Sequence, residues 1–172
     1  MENIMLVEAN HHTLHKKADI DPFSATDVVW HERQTEMLQL MKDRFGIGLA
    51  APQLGASYRM FVMNHTTIGD IGVYNPEIIS QSEETKCQEE GCLTFPLLFF
   101  MVTRPATCVV KFQDCFQEEH TLELNSTDAQ CFQHEFDHLE GKLFLEYASD
   151  MKLQRAIKKR EKRIKQIMKM QK

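Results

Sequence analysis

Apolar residues recur at helical spacing from Trp30 through Met37 and Met41 to Phe45, and Leu38 and Leu40 widen the stripe. That pattern predicts a core-facing helix ending near Phe45. Ser24 or Thr26 is placed to cap it, and Ser24 with Asp27 has capping-box spacing, Asp standing for the usual Glu. Before it, residues 1–23 read as irregular, with a turn at Asp21-Pro22. Period-two or continuous apolar runs then predict short strands over Arg59–Asn64 and Ile71–Asn75, separated by a turn around Gly69. Asn75-Pro76 marks a bend, after which Glu77–Ser80 resumes extended structure. The acidic stretch Ser82–Glu90 reads as an exposed loop. Leu97–Val102 is an apolar run, and Thr107–Phe112 with His120–Leu124 predicts a hairpin.

The next segment changes the question from packing to chemistry. In His134-Glu135-Phe136-Asp137-His138-Leu139-Glu140-Gly141, two histidines stand four residues apart. On a helix that spacing stacks both imidazoles on one face, where a metal ion can bridge them. At about 100° per residue, Cys131, His134, Glu135 and His138 share one arc. Phe132, Phe136 and Leu139 fall on the next, so one flank packs while the other presents ligands. Thr127 and Gln130 have capping-box spacing at the start, and Gly141 sits where a glycine ends a helix. Leu143–Tyr147 is a short apolar exit.

Two histidines do not complete a catalytic site, which takes three protein ligands and leaves a position open. No histidine follows His138, leaving Glu140, Glu146 and Glu161 as downstream carboxylates. Upstream, Cys92 follows a glycine in the tight segment Glu90-Gly91-Cys92-Leu93-Thr94-Phe95-Pro96. Its thiolate is a soft anionic ligand suited to iron(II), zinc, cobalt or nickel. A zinc peptidase completed by a carboxylate and a hydrolase completed by Cys92 both remain open on these residues alone. Gly46-Ile47-Gly48-Leu49-Ala50-Ala51-Pro52-Gln53-Leu54-Gly55 permits close backbone approach but lacks the third glycine and the lysine of nucleotide-binding loops.

Composition narrows the class without choosing a function. The chain has 172 residues, 42% hydrophobic and 26% charged, as expected of one globular domain. No apolar run approaches the ~20 residues of a membrane span. Met1–Asn10 carries Glu2 and Glu8 and no basic segment, so it does not read as a secretory signal. Five cysteines, an odd number, fit reduced thiols in the cytoplasm. Charge is segregated: residues 151–172 hold ten of the 20 Lys and Arg and one acid, Glu161. From Ser149 onward this predicts a long basic helix, giving a catalytic domain over 1–148 and an extension over 149–172.

Three segments together, Gly46–Gln53, Glu90–Thr94 and Gln133–Gly141, resemble the signature motifs of peptide deformylases, in that family's order and with similar separations. The resemblance runs from the first helix to about Tyr147. It implies an α+β fold, with antiparallel sheets around a central helix bearing the two histidines. It implies Cys92, His134 and His138 as metal ligands, most often for Fe2+, with Zn2+, Ni2+ or Co2+ also accommodated. Glu135 resembles the general acid/base acting on metal-activated water. Gln53 and the backbone N–H of Leu93 resemble the oxyanion donors, and Gly48 a backbone contact to substrate. The activity implied is hydrolysis of the N-formyl group from the initiator methionine of nascent polypeptides, releasing formate.

Ile47, Cys131 and Leu97–Phe100 are candidates for the apolar pocket that such a substrate needs. Two positions depart from the family pattern. Thr94 replaces the more common serine and keeps the hydroxyl. Leu97-Leu98-Phe99-Phe100 stands where many bacterial members carry a substrate-contacting arginine, which implies a more apolar groove rim. Arg104 is a candidate partner for Asp137.

The extension has a broken apolar stripe of Leu153, Ile157, Ile164 and Ile167/Met168 among lysines and arginines. Such a helix is an electrostatic footprint for phosphate, and bacterial deformylases dock a similar helix on the ribosome near the exit tunnel. The expected partners are thus a formyl-Met nascent peptide and the ribosome through 151–172, with no membrane and a monomeric chain. Deleting 151–172 is expected to abolish ribosome binding and to spare activity on a short formyl-peptide. A non-catalytic ribosome-associated protein that keeps the fold is the remaining alternative.

Overall fold

In a computed structural model, residues 4–26 and 28–170 are described. Among the described residues, seven strands and three α-helices form an α+β fold: α1 (Trp30–Asp43), β1 (Gly48–Ala50), β2 (Met60–His65), β3 (Gly69–Gln81), β4 (Thr85–Cys92), β5 (Phe95–Pro105), β6 (Thr107–Gln113), β7 (Glu119–Asn125), α2 (Ser126–Leu139) and α3 (Asp150–Met170). One antiparallel sheet has the order β1-β2-β3-β6-β7, and β4 pairs with β5 in a separate hairpin.

The main sheet is covered on both faces. Phe61 and Met63 of β2 pack toward α2 with Val73, Val110, Leu124 and Phe132. Met60 and Val62 pack toward α1 with Trp30, Met37, Met41 and Tyr74. A strand covered on both sides reads as an unbroken apolar run, which is why Met60–Met63 shows no alternation. A third cluster joins Leu98, Phe100 and Val102 of β5 to Phe144 and to Ala156 of α3. The first half of α3 is thereby docked on β5.

Several expectations change. The helix α1 starts at Trp30, not near Ser24 or Thr26, and has no side-chain cap; Pro22–Ser24 forms a separate 3-10 turn capped by Asp21. Asp27 lies outside the described residues. Phe45 leaves the stripe because the helix stops at Asp43. Phe45 takes the left-handed position after the helix (φ 56), and its side chain is 97% exposed. Asn75-Pro76 does not break the strand: β3 runs through it, with a register shift between Tyr74 and Glu77.

Thr85–Glu90 is strand, not loop. The first residues of β4, Thr85–Cys87, are exposed on both sides, so its polar residues carry no alternation until Glu90 and Cys92 turn inward. The Thr127 capping box is also absent: α2 starts at Ser126 without a side-chain cap bond. Its first turn is instead tied to the β2–β3 turn by Asp128, which accepts from Thr66 N at 2.9 Å. Gly141 does end α2, at φ 70, and a Cβ there would lie 2.7 Å from the backbone of Lys16. In α3, Ile167 and Met168 are exposed, so the apolar stripe is confined to the part that meets β5.

Candidate metal centre and active-site cleft

Residues from β4 and α2 meet at one buried point. Strand alternation sends Glu90 and Cys92 to the same face of β4, and helical spacing sends His134 and His138 toward them from α2. Ligand atoms of Cys92, His134 and His138 all lie within 4.8 Å of one another, and all three residues are buried. Cys92 Sγ is 3.3 Å from His138 Nε2. Burial alone would push the Cys92 thiol up, but His138 and His134 hold it well below its ordinary value. Imidazole–thiolate attraction thus prepares an anionic sulfur.

Glu90 orients His134. Its Oε2 is 2.9 Å from His134 Nδ1, so Nδ1–H donates to the carboxylate and Nε2 is left as a ligand atom. Burial would raise the Glu90 carboxyl, but hydrogen bonds from His134 and Arg104 bring it down to about 2. Arg104 follows from the alternation of β5, where Leu98, Phe100, Val102 and Arg104 occupy the inward register. A buried guanidinium needs partners. Arg104 donates to Glu90 at 2.6 and 3.1 Å and to Asp137 at 2.7 Å. Tyr147 Oη also donates to Asp137, at 2.9 Å, and the Tyr147 ring lies 4.5 Å from the Arg104 guanidinium.

Glu135 sits on the same arc as the histidines. Its carboxylate is buried, and Oε2 has no hydrogen-bond partner in the protein among the described residues. Burial pushes its pKa up to about 7. Gly48 of β1 lies directly beneath: a Cβ there would be 2.4 Å from Glu135 Oε1. The glycine therefore makes room for this carboxylate.

Gln53 is fixed at both ends of its amide. Its Oε1 accepts from Ala50 N at 2.8 Å, which aims Nε2 at Thr94 Oγ1 (3.1 Å) and Cys92 Sγ (3.4 Å). The hydroxyl retained at Thr94 thus accepts from Gln53.

These groups open onto a cleft of about 540 Å³ lined by Gly48, Gln53, Cys92, Leu93, His134 and Glu135. Ile47, Cys131, Leu97 and Phe99 line its apolar part, and Cys131 Sγ is 3.3 Å from Ile47 O, to which it donates. Leu6 and Arg44, which no sequence pattern had marked, also border it, as does Phe45, which the apolar stripe had assigned to the core. Leu98 and Phe100, the alternate residues of the apolar run, face the core instead. The downstream carboxylates lie elsewhere. Glu140 pairs with Lys17 and Arg59, Glu146 accepts from Leu143 N, and Glu161 is exposed on α3.

A thiolate and two imidazoles converging in a buried site fit a divalent transition metal, because soft and borderline donors select such ions. The pinned tautomer of His134 fits it too. The sequence had not marked Glu90 as a partner of His134, although its i, i+2 relation to Cys92 in a strand was a usable signal.

The profile of the polypeptide deformylase family matches residues 4–154. The peptide deformylase of Bartonella quintana is 36% identical over 149 residues, covering 84% of this chain and 85% of that protein. That of Thermotoga maritima is 44% identical over 116 residues, 67% of this chain and 70% of the other. The crystal structure of a Legionella pneumophila peptide deformylase superposes with a TM-score of 0.82 at 33% identity, covering 95% of this chain and 96% of that one. A plant peptide deformylase does so with a TM-score of 0.81 at 30% identity, covering 99% and 94%. With its fold, its three motif segments and its matched length all in agreement, the chain belongs to the peptide deformylase family of metallohydrolases.

Proposed function

We propose that this chain hydrolyses the N-formyl group from the initiator methionine of nascent polypeptides, releasing formate. Cys92, His134 and His138 hold one divalent transition metal, Fe2+ in first place, with Zn2+, Ni2+ and Co2+ also suited to the donor set. The observation that carries this reading is the convergence of those three ligand atoms within 4.8 Å beside a cleft lined by Cys92, His134, Glu135 and Gln53.

The metal, when bound, supplies Lewis acidity toward water and the formyl oxygen. Glu135, with a carboxylate raised to about 7, takes a proton from the attacking water and returns it to the leaving amine. Gln53 Nε2 and the Leu93 N–H donate to the oxygen as charge develops on it; one such donor is typically worth ~3–4 kcal/mol. Gly48 offers its backbone to the peptide. Ile47, Cys131, Leu97 and Phe99 form the apolar wall that receives the methionine side chain.

Residues 1–148 act as the catalytic unit, and 149–172 as a helical extension. The outer cations of α3, among them Lys158, Lys159, Lys162 and Lys165, are exposed and dock on ribosomal RNA in the cytoplasm. The chain works as a monomer, and among the described residues no helix is long and apolar enough to cross a membrane.

The test offers formyl-Met-Ala-Ser, acetyl-Met-Ala-Ser and the free peptide to metal-loaded protein under anaerobic conditions. Formate from the first substrate and no turnover of the second is the expected result. Equal cleavage of both acyl groups, or internal peptide-bond cleavage, contradicts the reading. Ribosome docking is tested separately by reversing Lys158, Lys159, Lys162 and Lys165 to Glu. Salt-sensitive cosedimentation with ribosomes should be lost, and unchanged cosedimentation contradicts that part.

A further inference from the structure

The cations of α3 differ in exposure. Arg155, Lys158, Lys159, Lys162, Lys165 and Lys169 are exposed, whereas Lys152, Arg160 and Arg163 are half-buried. Lys152 lies over the Phe100 ring, and Arg160 and Arg163 face the segment that replaces the family's arginine-bearing stretch. Arg160 Nε donates to Pro96 O at 2.7 Å, and Arg163 Nη1 donates to Leu97 O at 3.3 Å. The Arg163 guanidinium also lies 5.1 Å from the centroid of the Phe99 ring, within cation–π range.

That segment needs holding. The β4–β5 ladder pairs Gly91 with Phe99 and Cys92 with Phe95, so Pro96, Leu97 and Leu98 bulge out of register. Leu97 sits at φ 66 without being glycine, a conformation that L side chains rarely adopt and that persists only where its surroundings fix it. The bulge leaves the Pro96 and Leu97 carbonyls off the ladder. Charge-assisted hydrogen bonds from the two arginines tie these part-exposed carbonyls to α3.

The braced residues form the cleft. Pro96, Leu97 and Phe99 line it, and the Phe99 ring presses on Gly91, where a Cβ would lie 2.4 Å from it. Gly91 directly precedes Cys92. A continuous chain of contacts therefore runs from α3 through the cleft wall to the residue beside the thiolate.

We propose that Arg160 and Arg163 are positioning residues for the peptide-binding groove: from the C-terminal helix they fix the Pro96–Leu98 bulge and the adjoining Phe99 ring, which form part of its wall. The assignment rests on the function proposed above for what occupies the groove, while the brace itself can be tested without turnover. It gives α3 two separate jobs. Its inner arginines shape the groove, and its outer lysines remain available to a polyanion. Deleting 151–172 then removes both, so the earlier expectation that a short formyl-peptide is processed normally by the truncated chain is replaced by impaired binding of that peptide.

The experiment compares full-length wild type with R160A/R163A, R160K/R163K and the outer-face control K158A/K159A. Amide hydrogen exchange over 95–100 is the activity-independent readout. The alanine pair should exchange faster there, with α2 and the main sheet unchanged, and the control should match wild type. Steady-state hydrolysis of formyl-Met-Ala-Ser supplies the second readout. The alanine pair should raise KM about tenfold with kcat within about twofold, the loss expected for hydrogen bonds to a charged group that are only partly shielded. The lysine pair should recover part of KM, because an ammonium can still donate to one carbonyl.

Unchanged exchange over 95–100 in the alanine pair overturns the brace whether or not wild type is active. Faster exchange with an unchanged KM overturns its role in substrate binding. Absence of formate release from metal-loaded wild type overturns the proposed function and with it the groove assignment, leaving only the brace.

Discussion

Replacing Arg104 by leucine should be among the most damaging substitutions away from the metal ligands. The guanidinium is 5% exposed and makes three short charge-assisted contacts, at 2.6 and 3.1 Å to Glu90 and 2.7 Å to Asp137. Leucine is close in volume to the buried stem but removes the cation shared by two buried carboxylates, leaving Glu90 with His134 alone and Asp137 with the Tyr147 hydroxyl. Breaking a buried ion pair from one side typically costs ~3–5 kcal/mol, mostly through the charge left unpaired. For a chain of this length each kcal/mol shifts the melting temperature by roughly 2–4 °C, so a drop of about 6–20 °C follows.

The effect should also reach the metal, because Glu90 orients His134 through Nδ1. Loss of such an outer partner typically costs ~10–100-fold in metal affinity. The assay is urea denaturation of metal-stripped protein at pH 7.5, so that metal binding does not mask the loss, followed by metal titration of the refolded variant. R104L within about 1 kcal/mol of wild type, with unchanged metal affinity, would refute the reasoning, since ~3 kcal/mol is the lower bound for an orphaned buried charge. Pairing it with E90Q tests whether the two act as one unit: the double variant should be less destabilised than the sum of the singles.

Other outcomes follow from the same geometry. Glu135→Gln should retain metal and fold while losing nearly all turnover, measured as formate release alongside metal content. Gln53→Leu should lower kcat by about 10²–10³-fold with metal retained, the usual effect of losing one oxyanion donor. Gly48→Ala should lower kcat by displacing Glu135, since the new Cβ would lie 2.4 Å from its Oε1; a wild-type rate would contradict that placement. In metal-stripped protein at pH 8, iodoacetamide should modify exposed Cys87 and cleft-facing Cys92 first, and metal should protect Cys92 alone. Cys108, pushed up to about 11 by burial, should stay unmodified at pH 8, as read by peptide mass spectrometry.

The parts of the site that were legible in the sequence are those set by local periodicity. His134, Glu135 and His138 share a face because a helix repeats every 3.6 residues, and that follows from their spacing. Cys92 became a candidate by chemistry and by its motif, not by periodicity. What stayed hidden depends on register between distant segments. Glu90 looked like one acid among several in a polar stretch, and its role appears only when β4 and β5 pair and bring in Arg104. Phe45 fitted an apolar stripe, but the helix ended two residues earlier and the aromatic turned out to solvent at the cleft. The tail read as a basic helix with a broken apolar stripe, its cations not distinguished from one another. Its division into outer lysines and inner arginines rests on side chains reaching backbone carbonyls of a bulge, a contact that leaves no residue pattern behind.

The most direct test of the metal centre is an anaerobic iron(II) titration of metal-stripped protein, with formate release from formyl-Met-Ala-Ser as the readout. Activity should rise to a plateau at one equivalent per chain, and Cys92→Ser should shift or abolish that stoichiometric end point. No formate from the fully loaded wild type, or an identical titration for Cys92→Ser, would contradict a two-histidine, one-thiolate deformylase site.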